Sequence, residues 1–323
     1  MLAPYLTLAR PGYWVKNVFM LLGVVLAWFY HPAVWGAQAA GLIVWGFVAV
    51  SVLASSNYVL NEILDAPTDR HHPAKRFRPV AAGRIGLAGA CVEWLVLAAV
   101  GLAMAWLVNR AFFAAAVGLL GMGLVYNVPP LRTKQIAYLD VLSESLNNPL
   151  RLLLGWFTIS QAEVPPLSLL AAYWMAGAFF MATKRLAEYR MLGPEQAAAY
   201  RRSFRWYNEQ KLIESAFFYA TTAALMLGVF IIRYHLELIL SVPLIAGLFS
   251  YYLHVALKPA SAAQAPERLW REWRLMLYLL VCAAALVGLM LVRIPAMYEL
   301  FNVPPAEAPA LWRFGPWPTP LVP

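Results

Sequence analysis

The sequence predicts an all-α protein that crosses a membrane nine times. Of its 323 residues, 62% are hydrophobic and only 13% are charged, and the mean hydropathy is +0.62. Soluble domains carry roughly 25% charged residues, so this chain has too little polar surface to cover a globule in water. Apolar runs long enough to span a bilayer recur along the chain, and they exclude the disordered, collagen-like and disulfide-scaffold classes.

Each predicted helix is an apolar run, most of them close to the length of about 20 residues that a bilayer requires. Short breaks at His31–Pro32, Asn109–Arg110 and 233–235 mark three hairpins. The nine runs cover residues 17–30, 38–64, 87–108, 112–126, 138–157, 166–183, 212–232, 236–257 and 273–292. A single transmembrane domain therefore occupies residues 1–293. Residues 294–323 contain eight prolines, a density that predicts an extended extracytoplasmic tail without a helix.

The positive charge is concentrated in alternate loops. With the amino terminus placed in the cytoplasm, 20 of the 25 Lys and Arg residues fall on the cytoplasmic side, four fall on the opposite side, and Arg151 lies within a span. Cytoplasmic loops of membrane proteins carry an excess of Lys and Arg. The sequence therefore predicts a cytoplasmic amino terminus and an extracytoplasmic carboxyl terminus, and the net charge of +9 needs no nucleic-acid partner to explain it.

Acidic side chains cluster at the cytoplasmic end of the second span. The chain has three aspartates, and two of them, Asp65 and Asp69, follow Asn61 at intervals of four residues. Asn61 and Asp65 share a helical face, and their oxygen atoms are ligands that suit Mg²⁺. Pro67 is expected to end or kink the helix around Asp65, which would leave Asp69 on a loop.

A basic segment follows these acids directly. Its cations and histidines are Arg70, His71, His72, Lys75, Arg76 and Arg78. Carboxylates that share a Mg²⁺ ion and are surrounded by cations bind a diphosphate, because the metal reverses the sign of their interaction with a polyanion. In the alternative interpretation the acids only cap the helix and the basic segment is an ordinary cytoplasmic loop. The two histidines lack metal-ligand spacing and are interpreted as solvated loop residues.

The predicted fifth span carries a polar stripe with a kink expected at Pro149. Its members are Asp140, Glu144, Asn147, Asn148 and Arg151. Ionisable groups inside a span usually face an internal cavity, so we expect Asp140 to line the mouth of the site. Arg151 has two open interpretations, a place in that cavity and a structural pairing with a neighbouring helix.

Two motifs resemble signatures of the UbiA superfamily of intramembrane transferases. The acids Asn61, Asp65 and Asp69 with the following His72-Pro73-x-Lys75-Arg76-x-Arg78-Pro79 resemble its first motif, and Arg10-Pro11-x-x-Trp14-Val15-Lys16-Asn17 is similar to its amino-terminal signature. The resemblance covers about residues 8–290. It implies an all-α, nine-helix, UbiA-like bundle with a Mg²⁺-dependent site that faces the cytoplasm.

The second half of the chain resembles one branch of that superfamily. The aromatic prenyltransferases of the family carry a second aspartate-rich motif, whereas no aspartate follows Asp140 here. In its place stands Lys184-Arg185-x-x-Glu188, which resembles the branch that transfers phosphoribose to a polyprenyl phosphate. This resemblance implies an enzyme of cell-envelope biosynthesis in the bacterial inner membrane. Its substrates would be phosphoribosyl diphosphate and a polyprenyl phosphate lipid, and diphosphate would be released.

The resemblance also implies roles for particular side chains. Asn61, Asp65 and Asp69 would hold Mg²⁺, and Glu188 would orient cations or bind a ribose hydroxyl. Asp140 would lie at the mouth of the site. The residues that would bind the phosphates of the substrates are Lys16, Asn17, Lys75, Arg76, Arg78, Lys184 and Arg185.

Two other functions remain open at this point. A prenyltransferase of the same fold would use a prenyl diphosphate donor and an aromatic or lipid acceptor, but the missing second aspartate motif counts against it. A lipid or solute transporter would explain the hydrophobicity and the polar stripe. It would not explain why acids and cations cluster on one face of the membrane.

Overall fold

The computed structural model describes residues 3–34, 36–70, 75–258, 261, 263, 269, 272–304 and 311–313. This part of the chain is helical, with no β-strand beyond an isolated bridge between Glu163 and Arg313. The α-helices are α1 (Ala3–Ala9), α2 (Leu21–Tyr30), α3 (Ala37–Asp69), α4 (Leu87–Trp106), α5 (Arg110–Asn127), α6 (Leu139–Ser145), α7 (Asn147–Phe157), α8 (Leu167–Tyr200), α9 (Glu209–Tyr234), α10 (Val242–Leu257), α11 (Trp273–Leu291) and α12 (Pro295–Leu300). Short 3₁₀ helices connect several of them, and the longest covers Pro11–Met20.

Among the described residues, eight helical segments are long and apolar enough to cross a membrane. They cover Ala3–Tyr30, Gln38–Asp69, Leu87–Trp106, Arg110–Asn127, Leu167–Tyr200, Glu209–Tyr234, Leu236–Leu257 and Trp273–Leu291. Large apolar side chains on these segments are exposed, among them Val44, Leu95, Leu225 and Leu280, each more than half accessible. Such surfaces fit contact with lipid, and the chain is an integral membrane protein.

The hairpin predicted at Asn109 is confirmed. The Asn109 side chain accepts a hydrogen bond from the Phe112 N–H at 2.8 Å, so it caps the amino terminus of α5. Its amide also donates to the Phe157 carbonyl at 2.7 Å. An N-cap of this kind contributes about 1 kcal/mol. Helix ends at Tyr30 and Tyr234 confirm the breaks predicted at the other two positions.

The predicted fifth span is not one helix. Residues 138–157 form two short helices, α6 and α7, separated at Leu146. Pro149 has no N–H with which to bond the Ser145 carbonyl, so the hydrogen-bond ladder is interrupted one turn before the proline. The polar stripe of the sequence is therefore divided, with Asp140 and Glu144 on α6 and the asparagines and Arg151 on α7.

Two further boundaries differ from the prediction. Helix α8 runs to Tyr200, well beyond residue 183, and Gly193 interrupts it with a φ of 75° that favours glycine. The predicted tail was expected to contain no helix, yet Pro295–Leu300 forms α12. Pro295 starts this helix, where its missing N–H would have no partner in any case. The prolines from Pro305 onward lie outside the described residues.

The chain folds into two compact units. The first comprises Met1–Thr133, Leu146–Pro165 and Trp312–Pro323, and the second comprises Lys134–Ser145 and Pro166–Leu311. In the first unit α3 packs against α4 and α5, and α2 packs against α7. In the second unit α8 packs against α9 and α6 around a core that includes Phe179 and Tyr219.

The contact between α2 and α7 in the first unit is unusually close. A Cβ atom at Gly23 would lie 1.9 Å from the Leu152 carbonyl oxygen, and one at Gly155 would lie 1.8 Å from the Met20 carbonyl oxygen. The two glycines therefore let the backbones of α2 and α7 touch, as small residues do where membrane helices cross.

Candidate functional site

Helix α3 continues through Pro67 and ends at Asp69. The prediction that Asp69 lies on a loop is therefore wrong. In the last turn of a helix Pro67 removes only one hydrogen bond, that to the Ile63 carbonyl, and the Arg70 N–H still bonds the Ala66 carbonyl at 3.2 Å. As a result, Asn61, Asp65 and Asp69 follow one another at four-residue intervals along one side of a continuous helix.

Both aspartates at this end of α3 are paired with arginines. Asp69 accepts a hydrogen bond from Arg78 at 2.5 Å, and Asp65 accepts one from Arg132 at 3.1 Å. The side chains of Asp65, Arg78 and Arg132 retain between 21% and 25% of their accessibility. These pairs hold cations beside the acids, and they leave Asp65 partly accessible while Asp69 is buried at 4% exposure. Arg78 was predicted at this site, whereas Arg132, 67 residues from Asp65, carries no local signal that assigns it there.

Glu62 has a structural role that the sequence does not reveal. Its side chain is fully buried, where one oxygen accepts from Arg10 at 2.6 Å and the other from the Val80 N–H at 3.2 Å. Because both oxygens are used in this way, Glu62 anchors the amino-terminal segment and the loop before α4. The acid cluster that remains available consists of Asp65 and Asp69.

The amino-terminal signature lies along α3 in the antiparallel direction. Most of the segment from Arg10 to Asn17 lies in the long 3₁₀ helix. It contacts polar side chains that are spaced three or four residues apart on one face of α3. The contacts pair Arg10 with Glu62, Tyr13 with Tyr58, Trp14 with Ser55 and Asn17 with Ser51. Lys16 lies over the Tyr13 ring at 4.4 Å. The signature thus fixes the position of Lys16 in the first unit.

Asn17 is buried and engaged at both ends of its amide. Its NH₂ group donates to the Ser51 hydroxyl at 3.1 Å, and its oxygen accepts from Arg151 Nε at 3.1 Å. The amide of Asn17 thus links α3 to α7, and substrate binding by Asn17 stays a prediction. Arg151 is bonded to a neighbouring helical segment, as one of the two open interpretations expects, and its place in a cavity stays a prediction.

The basic segment after α3 is described from Lys75 onward, so His71 and His72 lie outside the described residues. Lys75 and Arg76 lie on a short 3₁₀ helix, Lys75–Phe77. Arg76 is exposed, and its guanidinium lies 4.8 Å from the centre of the Phe77 ring. Arg84 donates to the Phe77 carbonyl and so fixes this turn. The loop presents its cations at the same end of α3 as Asp69, to which Arg78 is bonded.

In the second unit, Asp140 is at the centre of a buried network. It is inaccessible to solvent and accepts hydrogen bonds from Arg185 at 3.2 Å, Ser203 at 3.2 Å and Tyr207 at 2.8 Å. Burial and the Asp140 carboxylate raise the pKa of the Tyr207 phenol, so this hydroxyl remains a donor. The expectation that Asp140 lines an open mouth is wrong, because partners more than 40 residues away in the chain enclose it.

Arg185 shares this burial. Its side chain is 3% exposed, with Nε on Asp140 and Nη1 on Glu188 at 3.0 Å. The structure therefore brings the predicted pair Arg185 and Glu188 together, but it places Arg185 inside the unit. Lys184 and Glu188 are the partly accessible members of the motif. Arg185 orients Glu188. The side chains of the motif that a substrate can reach are therefore Lys184 and Glu188.

Replacing Asp140 by alanine should destabilise the second unit strongly. The substitution removes the Asp140 partner of the buried Arg185 guanidinium, and breaking a buried ion pair costs about 3–5 kcal/mol. Tyr207→Phe removes the donor to Asp140 and the acceptor of the Tyr138 N–H but leaves no charge unpaired, so it should cost about 1–3 kcal/mol. Thermal unfolding of the two variants in detergent measures the difference. Equal stability of D140A and wild type would contradict the structural role of the network.

The donor set at the end of α3 fits a Mg²⁺ ion that is shared with a substrate. Asn61, Asp65 and Asp69 offer one amide and two carboxylates on one side of α3. In the part of the chain that the structure describes, no group of three His, Cys, Asp or Glu side chains could hold a metal alone. Mg²⁺ is usually bound by one or two carboxylates together with phosphate oxygens, which matches this incomplete set.

The fold and this acid–arginine site define the class of the protein, an integral membrane enzyme built from helices. The sequence matches the model of the UbiA prenyltransferase family over residues 17–280. The chain belongs to this family, and the resemblance found in the two motifs is confirmed.

Among curated relatives, the chain is similar to decaprenyl-phosphate phosphoribosyltransferases. It is 35% identical to that of Mycobacterium tuberculosis over 36% of this chain and 39% of the relative. It is 29% identical to that of Mycolicibacterium smegmatis over 63% of this chain and 62% of the relative. It is also 31% identical to the nodulation protein NoeC of Azorhizobium caulinodans over 58% of each chain. The matches thus span less than two thirds of the length of these relatives.

Solved structures of the same fold align over most of the chain. A UbiA homolog from Archaeoglobus fulgidus, bound to GPP and Mg²⁺, aligns with a TM-score of 0.66 at 21% identity, over 92% of this chain and 99% of that one. A digeranylgeranylglyceryl phosphate synthase aligns with a TM-score of 0.63 at 17% identity, over 90% and 99%. These similarities establish the UbiA fold for this chain.

Proposed function

We propose that this protein transfers 5-phosphoribose from phosphoribosyl diphosphate to a polyprenyl phosphate and releases diphosphate. The observation that carries the proposal is that the second half of the chain has a basic motif where a prenyltransferase would have a second group of aspartates. No aspartate follows Asp140, and the motif that stands in place of a second acid cluster is Lys184-Arg185-x-x-Glu188. The similarity to decaprenyl-phosphate phosphoribosyltransferases supports it.

In this proposal the end of α3 binds the diphosphate of the donor. Asn61, Asp65 and Asp69 would hold Mg²⁺, which supplies charge neutralisation for the leaving group when it is bound. Arg78 and Arg132 already lie on the two carboxylates, and they are close enough to exchange a carboxylate for a phosphate oxygen. Planar guanidinium groups suit this exchange because they bind either anion through two parallel hydrogen bonds.

The bond changes need no general base. An oxygen of the lipid phosphate forms a bond to the anomeric carbon of ribose, and the bond from that carbon to the diphosphate oxygen breaks. The second pKa of a phosphate monoester is about 6, so the attacking oxygen already carries negative charge at neutral pH. The remaining task is to bind two anions, for which the first unit offers the positive charges of Lys16, Lys75 and Arg76 and the second unit offers that of Lys184.

A second candidate is prenyl transfer to an aromatic or lipid acceptor. It is favoured by the family model and by the fold shared with the archaeal homolog that was solved with GPP and Mg²⁺. In that case the site at α3 would bind the diphosphate of a prenyl donor, and the lipid phosphate acceptor would not be required.

An assay of the purified protein separates the two candidates. The protein is incubated with Mg²⁺ and either radiolabelled phosphoribosyl diphosphate with decaprenyl phosphate or radiolabelled geranyl diphosphate with an aromatic acceptor. We expect labelled lipid only in the first reaction, and chelation of the metal should abolish it. A labelled product only in the second reaction would replace the proposal by prenyl transfer.

We further propose nine crossings, a cytoplasmic amino terminus and a site on the cytoplasmic side of a bacterial inner membrane. The charge distribution between the loops supports this topology. Alkaline phosphatase is active only outside the cytoplasm, so a fusion after Glu163 should be active and one after Lys134 inactive. An inactive Glu163 fusion would mean that residues 138–157 do not cross.

A further inference from the structure

Arg151 is a cation inside the first unit, and its hydrogen bonds to other described residues all go to neutral groups. It lies in the middle of α7, which packs against α2, α3 and α5. Its Nε donates to the Asn17 oxygen at 3.1 Å, and its Nη1 approaches the Asn147 carbonyl at 3.5 Å. Both contacts orient the guanidinium, and neither balances its charge.

Most other partly or fully buried arginines of the described chain have an acidic partner, and the exception is Arg110 at the first position of α5. Arg10, Arg78, Arg132 and Arg185 each lie within 4.0 Å of a carboxylate, whereas no such pair includes Arg151 among the residues that the structure describes. A charged side chain inside a membrane protein is costly unless it is paired or hydrated, and such residues mark substrate pathways. The missing counter-charge at Arg151 therefore indicates an anionic ligand.

This ligand is not the diphosphate bound near Asp65. Through Asn17, Arg151 is attached to α3 at Ser51, which precedes Asp65 by 14 residues. At about 1.5 Å per residue, the two positions on α3 are about 21 Å apart along the helix. A single diphosphate group cannot contact both, so the anion at Arg151 is a separate group.

We propose that Arg151 binds a phosphomonoester group of a substrate. The inference rests on the proposed function, in which both substrates carry such a group, the 5-phosphate of phosphoribosyl diphosphate and the phosphate of the lipid. Asn17 holds Nε, so the guanidinium is oriented in advance, and its remaining N–H groups can form a two-pronged contact with phosphate oxygens. Arg151 is then a substrate-binding residue, and Asn17 is the residue that positions it.

Kinetics of Arg151→Gln with both substrates test the proposal. Glutamine can still donate to Asn17 but has no charge, so we expect the KM of one substrate to rise ten- to a hundredfold, in line with the loss of a charge-assisted hydrogen bond. The KM of the other substrate should stay within about threefold, which identifies the source of the phosphate. Arg190→Gln, at an exposed pair with Glu209, is the matched control and should leave both values unchanged.

If Arg151→Gln does not fold, Arg151→Lys keeps the charge and gives up the two-pronged geometry. This variant should still raise the KM of the same single substrate. Unchanged KM values for both substrates in a folded Gln or Lys variant would overturn the proposal.

A binding measurement keeps this test independent of turnover. Ribose 5-phosphate and farnesyl phosphate are added separately to the detergent-solubilised protein, and inorganic diphosphate with Mg²⁺ is the third probe. We expect one monoester to raise the Tm of the wild type and not that of Arg151→Gln, while both proteins respond to Mg²⁺-diphosphate. If neither monoester stabilises the wild type, or if Arg151→Gln responds like the wild type, the inference is wrong. A failed transfer assay with an intact monoester response would instead refute only the proposed function.

Discussion

Asp65→Asn should lower the rate of transfer at least about a hundredfold while the protein remains folded in detergent. The substitution keeps the size of the side chain and removes the charge that would hold Mg²⁺ against the diphosphate, and the loss of one group that stabilises developing charge typically costs two to three orders of magnitude. Asp65 is partly accessible and its partner Arg132 can be solvated, so the cost in stability should be small. Turnover at saturating Mg²⁺ and thermal unfolding are the two measurements.

Glu209→Gln is the control for this experiment. It also removes one carboxylate from an ion pair with an arginine, but that pair is exposed on both sides and is worth about 1 kcal/mol or less. Its activity should equal that of the wild type. Normal turnover of Asp65→Asn would show that the end of α3 is not the metal site.

Of the glycine-to-alanine substitutions in the first unit, Gly155→Ala should lower the stability most. The new Cβ would overlap the Met20 carbonyl oxygen at 1.8 Å, and this obstacle is backbone that cannot rotate away. The helices α2 and α7 would have to separate, which should cost about 3 kcal/mol or more, at the upper end of the usual range for overpacked sites. Gly23→Ala meets the Leu152 carbonyl in the same way and should have a similar effect on the Tm.

Gly228→Ala provides the matched comparison. Gly228 lies within α9, and a Cβ there meets nothing within 4 Å. Alanine is favoured over glycine in a helix by about 0.5–1 kcal/mol, so this variant should be as stable as the wild type or more so. If Gly155→Ala and Gly228→Ala unfold at the same temperature, the close contact of α2 and α7 does not exist in the protein.

Patterns that depend on near neighbours could be predicted from the sequence. The apolar runs, the hairpin at Asn109 and the spacing of Asn61, Asp65 and Asp69 all follow from local periodicity, and the structure retains them. The rule that proline ends a helix misplaces Asp69, because that rule is strictest in the interior of a helix. At the last turn the rule weakens, because few hydrogen bonds remain to be lost.

Roles that depend on distant partners could not be predicted. The burial of Asp140 follows from Ser203 and Tyr207, which lie 63 and 67 residues further along the chain. The structural role of Glu62 also follows from distant partners, because its two carboxylate oxygens accept hydrogen bonds from Arg10 and from a backbone N–H of the loop after α3. In a span, a lone acid that is enclosed and one that faces a cavity have the same sequence signature. Only the tertiary packing distinguishes them.

The 3₁₀ winding of the amino-terminal segment has a consequence for length. From Arg10 to Asn17 the segment advances seven residues while its partners on α3 run eleven residues, from Glu62 back to Ser51. Seven residues cover about 14 Å in a 3₁₀ helix at 2.0 Å each but only about 10 Å in an α-helix, against about 16 Å for the eleven residues of α3. The larger rise per residue of the 3₁₀ helix therefore lets this segment contact both Glu62 and Ser51. A one-residue deletion between Arg10 and Asn17 would shorten the segment and break one of these two contacts.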